Sequence, residues 1–321
     1  MEQIQQYYLS LLNRFFLILF LIVVIFSFYF YYLINYKKIL ISDKLIYIEK
    51  GENIKSIAYK VLDENTIFDK EIYVIFLKIW NRFDNFHFGE FSISKDENLF
   101  QIAKIISKPS NVYQKLTIVD GWQIYQLNKT IADLFNEELN LHYDEILADT
   151  YKFQKHNSLK DLILIMKKYK NDFFLKHSKN LLLSQYNQSQ IITIASLVEK
   201  EAIDNEDKKL VSSVILNRLN KNMKLQIDAS TIFSITRGKY KFDRKLTLND
   251  LKIQDPYNTY FIKNLPPQPI CFVSAKTIEI VLENYKSDYF YYFYDENKLQ
   301  HIYSKSYDEH RNKLLEYRQT K

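Results

Sequence analysis

Cysteine occurs once in this 321-residue chain, at Cys271, which excludes an internal disulfide and a zinc site built from cysteines. Glycine (4) and proline (5) are nearly as scarce, so each remaining glycine is expected where the backbone tolerates nothing else. Charge of one sign is lacking too. The 44 basic and 38 acidic residues are interspersed, and the net +6 forms no stripe of the kind that grips nucleic acid. Disorder is excluded by 47% hydrophobic residues against 26% charged ones. The abundance of Lys, Ile, Asn, Tyr and Phe reads as drift toward AT-rich codons. The length suits a membrane anchor plus one or two domains with cores of their own.

Residues 15–33, FFLILFLIVVIFSFYFYYL, carry no charge and one small polar residue, Ser27. As a helix they span roughly 28 Å at ~1.5 Å per residue, close to the hydrocarbon thickness of a bilayer. Tyr29, Tyr31, Tyr32 and Tyr36 gather at one end, as in an interfacial aromatic belt. No small-x-small cleavage site follows, so the segment reads as an uncleaved single-pass anchor. Arg14 precedes it, whereas Lys37, Lys38 and Lys44 follow, and charge counting alone would leave the large domain in the cytoplasm.

Between 39 and 115 the patterns predict a small α+β module. LIYIEK (45–50) alternates like a strand, Gly51 turns the chain, and Asn53 caps a helix over IKSIAYKVL. A second helix fits EIYVIFLKIW, FGEFSIS (88–94) returns as a strand, and NLFQIAKIIS forms a helix stopped by Pro109. No titratable cluster marks the module. It is either a spacer or a docking module for glycan or a partner.

Chemistry is expected from 116 to 321. In TIVDGWQIYQL a strand runs into a tight turn at Gly121, with Trp122 opening a helix, and Asp149 and Thr150 of LADTYKF read as a cap or turn. The stretch IASLVEKEA (194–202) ends in two glutamates. At ~100° per residue Ile191, Ile194, Val198 and Ala202 share one face, with Glu201 between Ile194 and Leu197 and Glu199 outside that arc. Glu199 is therefore expected in solvent. Glu201 lies on the buried stripe, where a carboxyl group must be paired, protonated or beside a cavity. Either it pairs with Arg218 or Lys200, or desolvation keeps it protonated until a substrate oxygen takes the proton.

VSSVILNRL (211–219) predicts a second amphipathic helix with Val211, Val214, Ile215 and Leu219 inward and Asn217 and Arg218 at its end. LQIDASTIF offers Gln226 and a second carboxylate, Asp228. DPYNTYFIKNLPPQPI (255–270) holds four of the five prolines and reads as a rigid, non-helical wall able to hydrogen-bond and stack on a sugar. YFYYFYDENKLQHIYS predicts a hairpin around Asp295 to Lys298, with His301 and His310 as packing or surface residues.

In this order the motifs DGW, ADTY, IASLVEKEA, SSVILNRL, LQIDAS, DPYNTY and NLPPQPI, with the closing aromatic hairpin ending near SYDEH, resemble the endolytic murein transglycosylases, the MltG or YceG-like family. The resemblance implies an α+β chain in three parts: a cytoplasmic stub and transmembrane anchor (1–38), a LysM-like module (39–115) and a mixed α+β catalytic domain (116–321). It implies a lyase of the inner membrane, its catalytic domain outside the cytoplasm, that cuts the MurNAc-GlcNAc β-1,4 bond of nascent strands and leaves a 1,6-anhydro end without water. Glu201 is then the catalytic acid. Asn217, Gln226, Asp228, Tyr257, Asn258 and Thr259 are implied in the cleft, with Glu199 near them. No metal or diffusible cofactor is implied; the partners are glycan strands, the membrane and peptidoglycan synthases, with no nucleic acid.

This chain departs from the family pattern at Ala148, where proline is usual, at Asn264 and Gln268, where glycines flank the Pro-Pro pair, and in LQID for LQTD. Two other readings stay open: a muramidase in which Asp228 activates water, and an inactive scaffold of the elongation machinery.

Overall fold

A computed structural model describes residues 2–38 and 40–319, and the segment limits expected at 1, 39 and 321 fall outside the described residues. The chain divides into two units, residues 1–114 with 153–156 and residues 115–152 with 157–321.

In the first unit α1 (Glu2–Asn35) runs beyond the expected anchor at both ends, with Arg14 inside it. Its stretch Gln5–Asn35 is, by length and composition, able to cross a membrane. Leu33 and Ile34 are buried in the core of the module that follows, with Tyr29 and Phe30 packed against it. After β1 (Lys44–Ile48), Asn53 accepts from the Ser56 N–H at 2.8 Å and opens α2 (Ile54–Val61). Thr66 caps α3 (Ile67–Trp80) in the same manner. β2 (Gly89–Ile93) pairs antiparallel with β1, and the alternate residues Ile46, Ile48, Phe91 and Ile93 face the core. α4 (Leu99–Ile106) starts from an Asn98/Gln101 capping box.

β3 (Gln114–Thr117) pairs with β4 (Thr150–Phe153). The expected strand thus begins and ends earlier than read. The tight turn expected at Gly121 is present and includes Asp120, and α5 (Ile124–Phe135) starts after Gln123 rather than at Trp122. The turn needs glycine: Gly121 sits at φ +78° while its N–H donates to the Phe272 carbonyl at 2.9 Å. The Asp149-Thr150 motif, expected as a cap or turn, leads into a strand, because Ala148 N–H bonds the Val273 carbonyl and Ile118 N–H bonds that of Asp149.

α6 (Leu159–Lys176), on a Ser158/Asp161 capping box, and the short α7 (Leu182–Gln185) lead into α8 (Gln188–Glu201). α9 (Asn205–Asn220) and α11 (Ala275–Leu282) pack on α8, with α10 (Asp228–Thr236) between them in sequence. Every α8 residue from Ile191 to Val198 is buried, so the helix is enclosed on all sides. A side chain such as Ile191 or Leu197 there contributes about 1.5–3 kcal/mol of burial. Ala202, expected on the α8 stripe, is an extended C-cap residue, and Leu219 on α9 is half-buried. The chain closes with the hairpin of β5 (Tyr291–Asp295) and β6 (Gln300–Ser304), Tyr292 opposite Tyr303 and Tyr294 opposite His301, and then α12 (Tyr307–Gln319).

Candidate active site

Glu201 is the last residue of α8, and its carboxyl group lines a cavity of about 910 Å³. The walls come from the end of α9 (Arg218), the approach to α10 (Leu225, Gln226, Asp228), Tyr260, and the hairpin (Tyr291, Tyr292, His301). Tyr292 Oη donates to Glu201 Oε2 at 3.0 Å, and the Ala229 N–H at the start of α10 also donates to this carboxylate. Neither of the cations proposed as its partner pairs with it. Lys200 donates to the Gly121 carbonyl at 3.1 Å. Arg218 is buried, donates to the carbonyls of Phe290, Lys224 and Leu225 and lies 5.2 Å from the Tyr291 ring centroid.

Burial pushes the Glu201 carboxyl up to about 7, and the nearby Asp228 charge adds to this. The Tyr292 hydrogen bond, the neighbouring His301 and the Ala229 N–H pull the other way. The C-terminal end of α8, where the helix dipole is negative, is itself a poor host for an anion. Near neutral pH both protonation states are therefore accessible, as a group that first gives and then takes a proton requires.

Asp228, at the first turn of α10, accepts from Tyr260 Oη at 2.7 Å. Gln226 lines the cavity with φ +54°, a left-handed conformation uncommon outside glycine, and its N–H is held by the Thr259 carbonyl at 3.2 Å.

The remaining predicted residues lie elsewhere. Thr259 is fully buried, its Oγ1 taking the Ile227 N–H at 2.8 Å and lying 2.7 Å from Ser230 Oγ. Asn258 is equally buried; it donates to the carbonyls of Leu251 and Ile253 and accepts from Thr231 Oγ1 at 2.9 Å. Both hold the chain around α10, behind the cavity wall. Tyr257 packs on Phe233 (centroids 4.8 Å apart) under the Arg237 guanidinium. Asn217 donates to the carbonyls of Ser287 and Tyr289, both at 2.9 Å, and so fixes the chain leading into β5.

Glu199 corrects the expectation of a solvated helix residue. Its side chain is 11% exposed and pairs with Lys208 Nζ at 2.7 Å, while Thr277 Oγ1 donates to it at 2.5 Å. The reason is that α9 and α11 cover the face that a one-sided projection assigns to water. It lines a second cavity, about 680 Å³, with Asp120 and Trp122. Burial, then the Glu199 charge, raises the Asp120 carboxyl above its usual range.

The sequence reading singles out no role for Tyr292 and takes His301 as a packing or surface residue, whereas both line the cavity. The His301 side chain is 6% exposed, and its Nδ1 lies 2.8 Å from Asp207 Oδ2. Burial raises the Asp207 carboxyl, but His301, Tyr303 and the Ile203 N–H outweigh it and hold the group below the usual range. The alternation of the hairpin, which sends Tyr292 and His301 to one face, was the available signal. Among the described residues no group of three or more His, Cys, Asp or Glu is placed to hold a metal ion.

The family model described as YceG-like matches residues 46–316, most of the chain. The chain belongs to the YceG-like family. Proteins named endolytic murein transglycosylase resemble it: one of Bacillus subtilis is 27% identical over 84% of this chain and 83% of its own length. One of Streptococcus pneumoniae serotype 2 is 26% identical over 71% of this chain but 39% of its own, and one of S. pneumoniae R6 is 34% identical over 44% and 25%. The chain thus spans well under half of the streptococcal relatives. The crystal structure of a YceG-like protein of Listeria monocytogenes superposes with a TM-score of 0.53 at 25% identity, over 84% of this chain and 98% of that one.

Proposed function

We propose that this YceG-like chain is a membrane-anchored lytic transglycosylase of nascent peptidoglycan, with Glu201 as its acid and base. The observation that carries the reading is a carboxyl group raised to about 7 on the wall of a cavity large enough for saccharide. Protonated Glu201 gives its proton to the glycosidic O4 as the C1–O4 bond breaks. The C6 hydroxyl then attacks C1, closing the 1,6-anhydro ring, and its proton returns to Glu201, so no water is consumed. The sugar's own acetamido group eases the oxocarbenium-like charge.

The relatives' shared name, endolytic murein transglycosylase, supports the substrate class. Apolar α1 supports a single-pass anchor in the plasma membrane, with the catalytic domain on the side where the glycan lies and peptidoglycan synthases as neighbours. The β–α–α–β order of the first unit supports the LysM-like reading of residues 39–115. Gln226 and Asp228 are the proposed substrate contacts of the cavity, and cleavage there helps end strand elongation.

Asp228, so near the acid, favours one second reading, a muramidase that activates water. The full-length protein on uncrosslinked glycan, with product masses recorded, separates the two: anhydro ends are expected, and reducing ends would replace the transglycosylase by the hydrolase. Glu201→Gln is expected to yield neither product. A Glu201→Gln variant that still cuts would take the acid's role from Glu201, and a wild type that does not cut would sink the enzymatic reading in favour of a scaffold.

A further inference from the structure

The helix α3 carries an apolar strip that its own module leaves uncovered. Phe68, Ile75 and Ile79, at i, i+7 and i+11, fall within about 40° of one another on the helix and all three are exposed, while Ile72, at i+4 on the core-side edge of the strip, is buried. Ile67, 74% exposed, opens the helix off one edge of the strip, on the same side as exposed Lys78. On the opposite side of α3, Tyr73 and Leu77 are fully buried in the core.

The attachment to α1 fixes the height of this strip. Tyr29 lies tilted against Phe68 (5.8 Å between centroids) and donates to Asp69 at 2.7 Å, while Phe30 meets Phe76 at 6.4 Å. Two successive residues of α1 thus touch residues eight apart on α3, so α3 crosses the anchor steeply. Leu33 and Ile34, farther along α1, enter the module core, which leaves α3 on the side nearer the anchor's apolar stretch. From Phe15, the first residue past Arg14, to Phe28 no residue of α1 belongs to the module core, and these fourteen residues span about 21 Å at ~1.5 Å each. Counted from the first residue past Arg14, that length falls short of a hydrocarbon layer of about 30 Å by roughly the 5–10 Å to which an interfacial helix sinks.

We propose that α3 lies in the membrane surface, with Phe68, Ile75 and Ile79 among the lipid acyl chains beside the anchor. The apolar strip continues the lipid-facing surface of α1, and the bilayer, rather than a second protein, is its occupant. The inference rests on the reading of α1 as a membrane span.

The test uses the full-length chain in lipid nanodiscs, with a fluorophore sensitive to polarity attached at Phe68→Cys or, separately, Ile75→Cys. Native Cys271 is buried and stays unlabelled. Phe20→Cys reports the anchor, and Leu45→Cys, exposed on the face of the β1–β2 sheet turned away from the core, is the control. Lipids carrying a nitroxide at the top of the acyl chain are expected to quench positions 68 and 75 several times more than position 45, with blue-shifted emission. Quenching at position 20 with none beyond the control at 68 and 75 would overturn the inference and leave the anchor standing. No quenching at position 20 would overturn both. A blue shift at 68 and 75 without quenching would put a second protein copy on the strip and overturn it as well.

Discussion

Two residues apart on α8, Glu199 and Glu201 meet opposite electrostatic fates. Lys208 Nζ sits 2.7 Å from the first, whereas among the described residues the second has a hydroxyl and a backbone N–H but no cation within ion-pair distance. The first is a charge held by an ion pair. The second is an acid whose proton is loosely poised.

Removing Lys208 tests the structural half of that contrast. Lys208→Met leaves a carboxylate with little solvent and only the Thr277 hydroxyl for compensation. A loss of about 3 kcal/mol or more is expected in urea unfolding at neutral pH. Unchanged stability would mean that Glu199 is solvated after all.

The raised Glu201 group has a signed effect on stability. Its folded value, about 7, exceeds that of an ordinary carboxylate, so the native state binds the extra proton between about pH 4.5 and 7 and loses stability as pH rises through that window. Glu201→Gln removes the penalty. Above pH 7 the variant is expected to be more stable than wild type by about 1–3 kcal/mol, with the difference vanishing near pH 4. Parallel pH curves for the two proteins would count against the shift.

Tyr292→Phe deletes the hydroxyl that favours ionised Glu201. The alkaline limb of the kcat/KM profile is expected to move to higher pH, and the rate at neutral pH to fall about tenfold, roughly the worth of one charge-assisted hydrogen bond. An unmoved limb would detach Tyr292 from the acid.

Thr259→Val keeps volume but removes the oxygen that receives the Ile227 N–H. A cost of about 1–3 kcal/mol in stability is expected, together with loss of glycan cleavage because Gln226 and Asp228 shift with the start of α10. Full activity in a destabilised variant would separate Thr259 from the cavity.

What was legible in the sequence is what depends on neighbours along the chain. Asn53 as a cap and the closing hairpin follow from local periodicity, as does the difference in direction between Glu199 and Glu201, though the solvent expected around Glu199 gives way to the packing of α9 and α11. The partners of those residues do not. Lys208 reaches Glu199 from another helix, and His301 and Asp207 are 94 residues apart. Asn258 and Thr259 have the groups a sugar site needs, and the same groups suit buried struts; only the packing around α10 tells the two uses apart. α6 was passed over although its Ser158/Asp161 capping box stood in the sequence.

The hydroxyl that touches Glu201 lies 91 residues downstream of it. At a synthesis rate of ~5–20 residues per second the ribosome makes the acid roughly 5–20 s before its partner. Nascent chains released before the hairpin would carry the glutamate with an unfinished pocket, so the hydroxyl that faces it arrives only once Tyr292 is made.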